Sequence, residues 1–292
     1  MAAARRTGGT GYPTGVRRAL RLAGLAVALS LWVIAARASA SSPTPLTLGP
    51  SPSVLASPGI PVLLGWETVG SFPHDTGAWT QGLLIDDQGR LFESTGIVGQ
   101  TSIRELDRAT GEVLRSAAPP DEVYGEGLAM ASDRLIQITW RDGVALAWDP
   151  ETFEVVGSHP YTGEGWGLCA DGTHLVMSDG SATLTFRDPD TFEATGSVQV
   201  TAAGQPVEML NELECVEGWV WANVWESPYI VRIDPATGMV TGVLDMTGLA
   251  VPDPSASDPG AVLNGIAYDP ERGTFLLTGK RWPTVYEVRV SD

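Results

Sequence analysis

The chain has 292 residues, 43% of them hydrophobic and 18% charged, with a formal net charge of −17. Six of its 18 basic residues and none of its 35 acidic residues fall in the first 40 positions, so the remainder carries −23. A surface this acidic, with no basic stripe left to offset it, repels phosphate backbones and excludes a nucleic-acid partner. The 34 Gly, 21 Pro and 10 Trp exclude a coiled coil and match the turn-rich composition of an all-β protein.

In chain order, Arg5, Arg6, Arg17, Arg18 and Arg21 precede an apolar run from Leu22 to Ala36, which ends near Ala38-Ser39-Ala40. A basic start, about 15 apolar residues and an A-x-A site predict a signal peptide over 1–40, cleaved after Ala40. The alternative is an uncleaved anchor, although a membrane span needs roughly 20 apolar residues. Residues 41–61 are rich in Ser and Pro and predict an extended spacer, and residues 62–292 form the globular domain. The expected location is therefore exported, with membrane contact only if the signal segment is retained. A monomer is expected.

A turn element recurs four times in the globular part: Asp107-Arg108-Ala109-Thr110-Gly111, Asp149-Pro150-Glu151-Thr152-Phe153, Asp188-Pro189-Asp190-Thr191-Phe192 and Asp234-Pro235-Ala236-Thr237-Gly238. Aspartate capping its own loop and proline fixing φ are hairpin chemistry, and each copy predicts a connection between two outer strands. A second element recurs five times, as Gln81-Gly82-Leu83, Glu126-Gly127-Leu128, Trp166-Gly167-Leu168, Glu212-Leu213-Glu214 and Asn264-Gly265-Ile266, at spacings of 45, 40, 46 and 52 residues. Units of about 40–50 residues with short strands predict a five-bladed β-propeller. The last strand, Thr284 to Val290, is expected to be completed by Val62 to Val69 from the chain start, which hides the sheet edges.

The innermost strand of each blade lines the channel. The expected polar ring is Gln81, Glu126, Trp166, Glu212 or its neighbour Asn211, and Asn264, with the glycines letting the strands crowd together. Trp140, Trp166, Trp225 and Trp282 stand next to these elements and are candidate walls of a small pocket. Lys280 is the single lysine beside 17 arginines, and a compact ammonium suits an oxyanion or a carbonyl. His74, His159 and His174 show no metal-ligand spacing, and His74 is read as structural. Cys169 and Cys215 occupy equivalent places in neighbouring units, so a disulfide between them is left open.

Ten ordered motifs from about Gly65 to Val290 resemble the plant-type glutaminyl-peptide cyclotransferases. They include Trp79-Thr80-Gln81-Gly82-Leu83, Tyr124-Gly125-Glu126-Gly127-Leu128, Thr139-Trp140-Arg141, Glu164-Gly165-Trp166-Gly167-Leu168, Leu210-Asn211-Glu212-Leu213-Glu214, Ala222-Asn223-Val224-Trp225, Leu263-Asn264-Gly265-Ile266 and Thr278-Gly279-Lys280-Arg281-Trp282-Pro283. The resemblance implies a five-bladed propeller that cyclises the N-terminal glutamine of peptides to pyroglutamate with loss of ammonia. It assigns Glu126 as proton shuttle, Asn211 and Lys280 as groups that polarise the γ-amide, and Gln81, Trp140, Trp166, Trp225 and Asn264 as substrate-binding residues. No cofactor or catalytic metal is implied; a structural calcium is left open. Departures are Trp79, where phenylalanine is usual, and Arg141, where many relatives have lysine. Two other classes compete: a calcium-dependent propeller lactonase using Glu126, Asn211, Asn264 and Asp179 as oxygen ligands, and a non-enzymatic exported propeller that binds a partner.

Overall fold

A computed structural model of the chain describes residues 59–249 and 258–292. The expected signal peptide and the spacer up to residue 58 lie outside the described residues. Among the described residues the architecture is all-β, and the one helical element is a single 3-10 turn at Met246–Gly248.

The strands form five blades. Blade 1 comprises Thr80–Ile85, Leu91–Thr95, Ser102–Leu106 and Val113–Ala117. Blade 2 comprises Gly125–Ala131, Arg134–Thr139, Val144–Trp148 and Val155–Pro160. Blade 3 follows with Leu168–Ala170, Leu175–Ser178, Thr183–Arg187 and Ala194–Gln199. Blade 4 holds Leu210–Val216, Trp219–Val224, Tyr229–Ile233 and Val240–Asp245. Blade 5 has Leu263–Asp269, Thr274–Gly279 and Thr284–Ser291, with Gly65–Pro73 from the chain start as its outer strand.

Both faces of each sheet are covered by a neighbouring blade, so successive residues of one strand serve opposite cores. Leu83 packs between blades 5 and 1, whereas the next residue, Leu84, packs between blades 1 and 2. Five hydrophobic clusters result, one at each blade interface.

The turn copies behave as the sequence predicts. Asp107 Oδ1 accepts from Ala109 N and Thr110 N, and Asp149, Asp188 and Asp234 each cap their own loops. Each copy joins the third and outermost strands of blades 1 to 4. Blade 5 has no such copy because its outer pair is made from the two ends of the chain, which is why the element occurs four times and not five. The fifth position of each copy has positive φ: Gly111, Phe153, Phe192 and Gly238 at 72°, 58°, 61° and 70°. Two phenylalanines adopt this unfavourable conformation because their rings are buried in the adjoining cores.

The ring is closed by antiparallel pairing of Gly65–Pro73 with Thr284–Ser291. The expected closing strand started at Val62, and here the structure differs in detail. Val62 and Leu63 instead pair in parallel with Gly242 and Val243, on the outer edge of blade 4. Leu64 explains the change of sheet. It is buried, and a Cβ at Gly242 would stand 2.7 Å from its Cδ1, so the missing side chain makes room for the leucine where the chain crosses between blades.

Cys169 and Cys215 form a disulfide with a Cα–Cα distance of 5.5 Å, joining the inner strands of blades 3 and 4. With a sequence separation of 46 residues, the chain-entropy account gives about 4 kcal/mol of stabilisation.

Candidate active site

Antiparallel connection sorts the loops. In every blade the start of the inner strand and the link between the second and third strands lie at one end of the channel, and the aspartate turns lie at the other. The first end carries Gln81, Glu126, Asn211 and Asn264 on inner strands, Trp166 two residues before the inner strand of blade 3, and Trp140, Trp225 and Lys280 on the links. The eight residues that the family resemblance assigns to the site therefore share one face.

The glycines act as spacers, as expected. A Cβ at Gly82 would stand 2.6 Å from Leu128 N, and substitution at Gly127 and Gly167 would run into the backbones of Leu168 and Asn211. Only a missing side chain lets inner strands approach this closely. The residue before each glycine is thereby held at the channel mouth.

Those side chains form a hydrogen-bonded series. Asn264 Nδ2 donates to Thr80 O at 3.0 Å and to Gln81 Oε1 at 3.2 Å, and Gln81 Nε2 donates to Glu126 Oε1 at 3.0 Å. Gln81 Nε2 also lies 3.5 Å from the Tyr124 hydroxyl. The side-chain oxygens of Asn211 and Asn264 are buried without a hydrogen-bond partner among the described residues. A buried carbonyl oxygen in that state calls for a donor from elsewhere.

Glu126 is 5% exposed, and burial pushes its carboxyl well above the usual carboxylate range; Lys280 pulls it down and Glu164 pushes it up. Lys280 is equally buried. Desolvation lowers its ammonium to about 8, opposed by the charge of Glu126. Its Nζ lies 5.7 Å from the centre of the Trp79 ring, which carries the Arg281 guanidinium at 5.2 Å as well. Burial thus drives an acid and a base toward each other in proton affinity, which is the condition for moving a proton near neutral pH.

The walls are aromatic, and their alignment depends on a residue that sequence reasoning did not single out. Glu164 Oε2 accepts from Trp140 Nε1 at 2.8 Å and from Trp166 Nε1 at 3.1 Å, while its Oε1 accepts from Arg141 Nε at 2.7 Å. Burial opposes ionisation of Glu164, but hydrogen bonds from Trp166, Arg141 and Trp140 hold its carboxyl below the ordinary value. The Arg141 guanidinium lies 3.8 Å above the Trp140 ring. Trp166 meets Trp225 edge to face at 5.4 Å, and Trp140 meets Tyr124 at 5.6 Å. The available signal was that two indole N–H groups side by side in a pocket need an acceptor.

Trp282 is not part of this wall. It is buried in the core between blades 4 and 5 and donates Nε1 to Ala261 O at 3.0 Å. His74 is also buried, bonded through Nδ1 to Trp282 O at 2.8 Å and through Nε2 to Glu93 at 2.9 Å, which is a structural tie beneath the Lys280 loop. Asp179 caps its own exposed turn through Ser181 N and Oγ. Among the described residues, no group of three or more His, Cys, Asp or Glu side chains could hold a metal ion.

The fold is a five-bladed propeller with a buried carboxyl and a buried ammonium at one end of its channel, beside a cluster of indoles. Comparison with known proteins specifies it further. Residues 44–290 match the glutamine cyclotransferase family model. The glutaminyl-peptide cyclotransferase of Arabidopsis thaliana is 38% identical over 228 residues, 77% of this chain and 71% of that protein. The crystal structure of Myxococcus xanthus glutaminyl cyclase superimposes with a TM-score of 0.72 at 42% identity, covering 79% of this chain and 98% of that one. The chain belongs to the glutamine cyclotransferase family.

Proposed function

We propose that the protein is a glutaminyl-peptide cyclotransferase, converting the N-terminal glutamine of peptides or proteins to pyroglutamate with release of ammonia. The observation that carries the mechanism is the buried Glu126 carboxyl, held by Gln81 and electrostatically coupled to Lys280. The reaction is intramolecular, so the enzyme must fold the substrate, move a proton and stabilise an oxyanion.

The free α-amine attacks the γ-amide carbon, forming the ring C–N bond. Glu126 takes the proton released from the attacking nitrogen. The γ-carbonyl oxygen becomes an oxyanion, stabilised by the Lys280 ammonium, while the unpartnered Asn211 oxygen accepts from an N–H of the reacting residue. Glu126 then returns the proton to the γ-nitrogen, the C–N bond of the amide breaks, and ammonia leaves. An α-amine has an ordinary pKa of about 7.7–8, so an upward-shifted carboxyl is a better matched proton carrier than an ordinary one. Trp140, Trp166 and Trp225 enclose the aliphatic part of the glutamine, and Gln81 and Asn264 orient Glu126 and the bound residue.

Lys280 supplies the carbonyl polarisation that a Lewis acid would otherwise provide, so the chemistry is read as metal-independent. The acidic surface gives nucleic acid no purchase, and the protein is read as an exported monomer. Its N-terminal pattern and its disulfide support export.

The test is ammonia release from a Gln-initiated dipeptide by the form beginning at residue 41, with EDTA present. Release that persists in EDTA and is lost in Glu126→Gln supports the assignment. Activity appearing only with added calcium favours the lactonase-type alternative, and no turnover under any condition favours a binding propeller.

A further inference from the structure

Glu212 is a fully buried carboxyl that the proposed chemistry does not use. It follows Asn211 on the inner strand of blade 4. Its two oxygens accept main-chain N–H groups from two other blades: Leu83 N of blade 1 to Oε1 at 3.2 Å, and Ile266 N of blade 5 to Oε2 at 2.8 Å. Blades 4 and 1 are not neighbours in the ring, so this side chain reaches across the channel.

The two amides are available for a reason. An innermost strand has one edge without a partner strand, and its buried N–H groups still need acceptors. In both strands the pairing with the second strand also shifts at this point, between Thr80 and Gly82 in blade 1 and between Leu263 and Ile266 in blade 5. The shifts sit where Gln81 and Asn264 stand, two residues before the amides that Glu212 holds.

We propose that Glu212 is a positioning residue of the active site, whose carboxyl clamps the inner strands of blades 1 and 5 to the strand carrying Asn211 and so sets the register of the Asn264–Gln81–Glu126 hydrogen bonds. The inference rests on the cyclotransferase reading for its kinetic consequence and on geometry alone for its structural one.

Three features support it. The Asn264–Gln81 contact joins the same two strands at 3.2 Å, so a slip of a few tenths of an ångström between them breaks it. A carboxyl is an expensive group to bury, and a hydrophobic residue would pack the same volume at lower cost; what the carboxyl adds is two acceptors on one rigid plane. Finally, the Cys169–Cys215 bond ties the Glu212 strand to blade 3 three residues further on, giving the clamp a fixed base.

The deciding variant is Glu212→Gln, whose amide has one acceptor and presents its NH2 to a main-chain N–H. The expected result is a 10- to 100-fold fall in kcat with KM within threefold of wild type. In a double variant with Gln81→Ala the two losses should be less than multiplicative, because both act on the same contact. A kcat within twofold of wild type, or fully multiplicative losses, overturns the proposal and leaves Glu212 as a fold contact only. If Glu212→Gln does not fold, Glu212→Asp is read by the same criteria, since it keeps both acceptors but is one methylene too short to reach both strands. Absence of turnover in the wild type would defeat the cyclotransferase reading instead. The variant's crystal structure then decides: lost Asn264–Gln81 and Gln81–Glu126 contacts support the clamp, and unchanged contacts overturn it.

Discussion

Gln81 Nε2 donates to Glu126 Oε1 at 3.0 Å, from the inner strand of one blade to that of the next. The carboxyl is therefore oriented by a neutral amide and not by a direct ion pair, which leaves its proton affinity to be set by burial and by the more distant charges of Lys280 and Glu164. Each of those two charges can be removed separately.

Lys280→Met removes the buried cation. Loss of one preorganised oxyanion partner lowers kcat by about 10²–10³. Because Lys280 lowers the proton affinity of Glu126, the limb of the pH profile that reports Glu126 should also move to higher pH. Lys280→Arg should not restore the rate, since a planar guanidinium does not fit the place of a compact ammonium. Steady-state ammonia release from pH 5 to 10 checks all three; wild-type turnover in Lys280→Met would remove the lysine from the chemistry.

Glu164→Gln has the opposite electrostatic sign. The charge of Glu164 raises Glu126, so its neutralisation should move the Glu126 limb to lower pH. The indoles of Trp140 and Trp166 would exchange a charged acceptor for a neutral one, and a loosened wall should raise KM by about tenfold. An unchanged KM together with an unmoved limb would show that Glu164 neither aligns the wall nor tunes the acid.

Stability should fall as pH rises from about 5 to 8. Burial raises the Glu214 carboxyl, which accepts from Tyr268 N at 2.9 Å, to about 8. In this window the folded state retains protons that the unfolded chain has released, so stability present below about 4.5 is lost as pH climbs through the folded value. The capping aspartates Asp107, Asp149 and Asp188 are lowered and act only below their ordinary value of 3.8, outside this window. Thermal melts at pH 5, 6.5 and 8 measure the slope, and Glu214→Gln should flatten it. A melting temperature that rises across the window would contradict the assignment.

Much of the fold was legible before any coordinates. Asp-x-x-Thr turns report a hydrogen bond closed within five residues, and Gly82, Gly127 and Gly167 of the inner-strand motifs mark places where backbones touch. Both are local requirements, so they recur in the sequence at blade spacing. The eight residues proposed for the site come from ordered motifs, and the structure carries all of them to one end of the channel. Glu164 was hidden because nothing local distinguishes a carboxylate that accepts two indoles from one on a solvated loop.

The amino-acid sequence alone determined the number of blades, the site of each aspartate turn and the polar ring, because these follow from short periodic patterns. Tertiary structure alone decided the rest: the passage of Val62 and Leu63 to blade 4 before closure begins at Gly65, the Cys169–Cys215 bond, the burial of Trp282 in a core, and the reach of Glu212 across the channel. Each of these depends on contacts between residues about 45 to 225 positions apart. Such contacts are set by how the twist of five packed sheets closes the ring, and no periodicity along the chain encodes them.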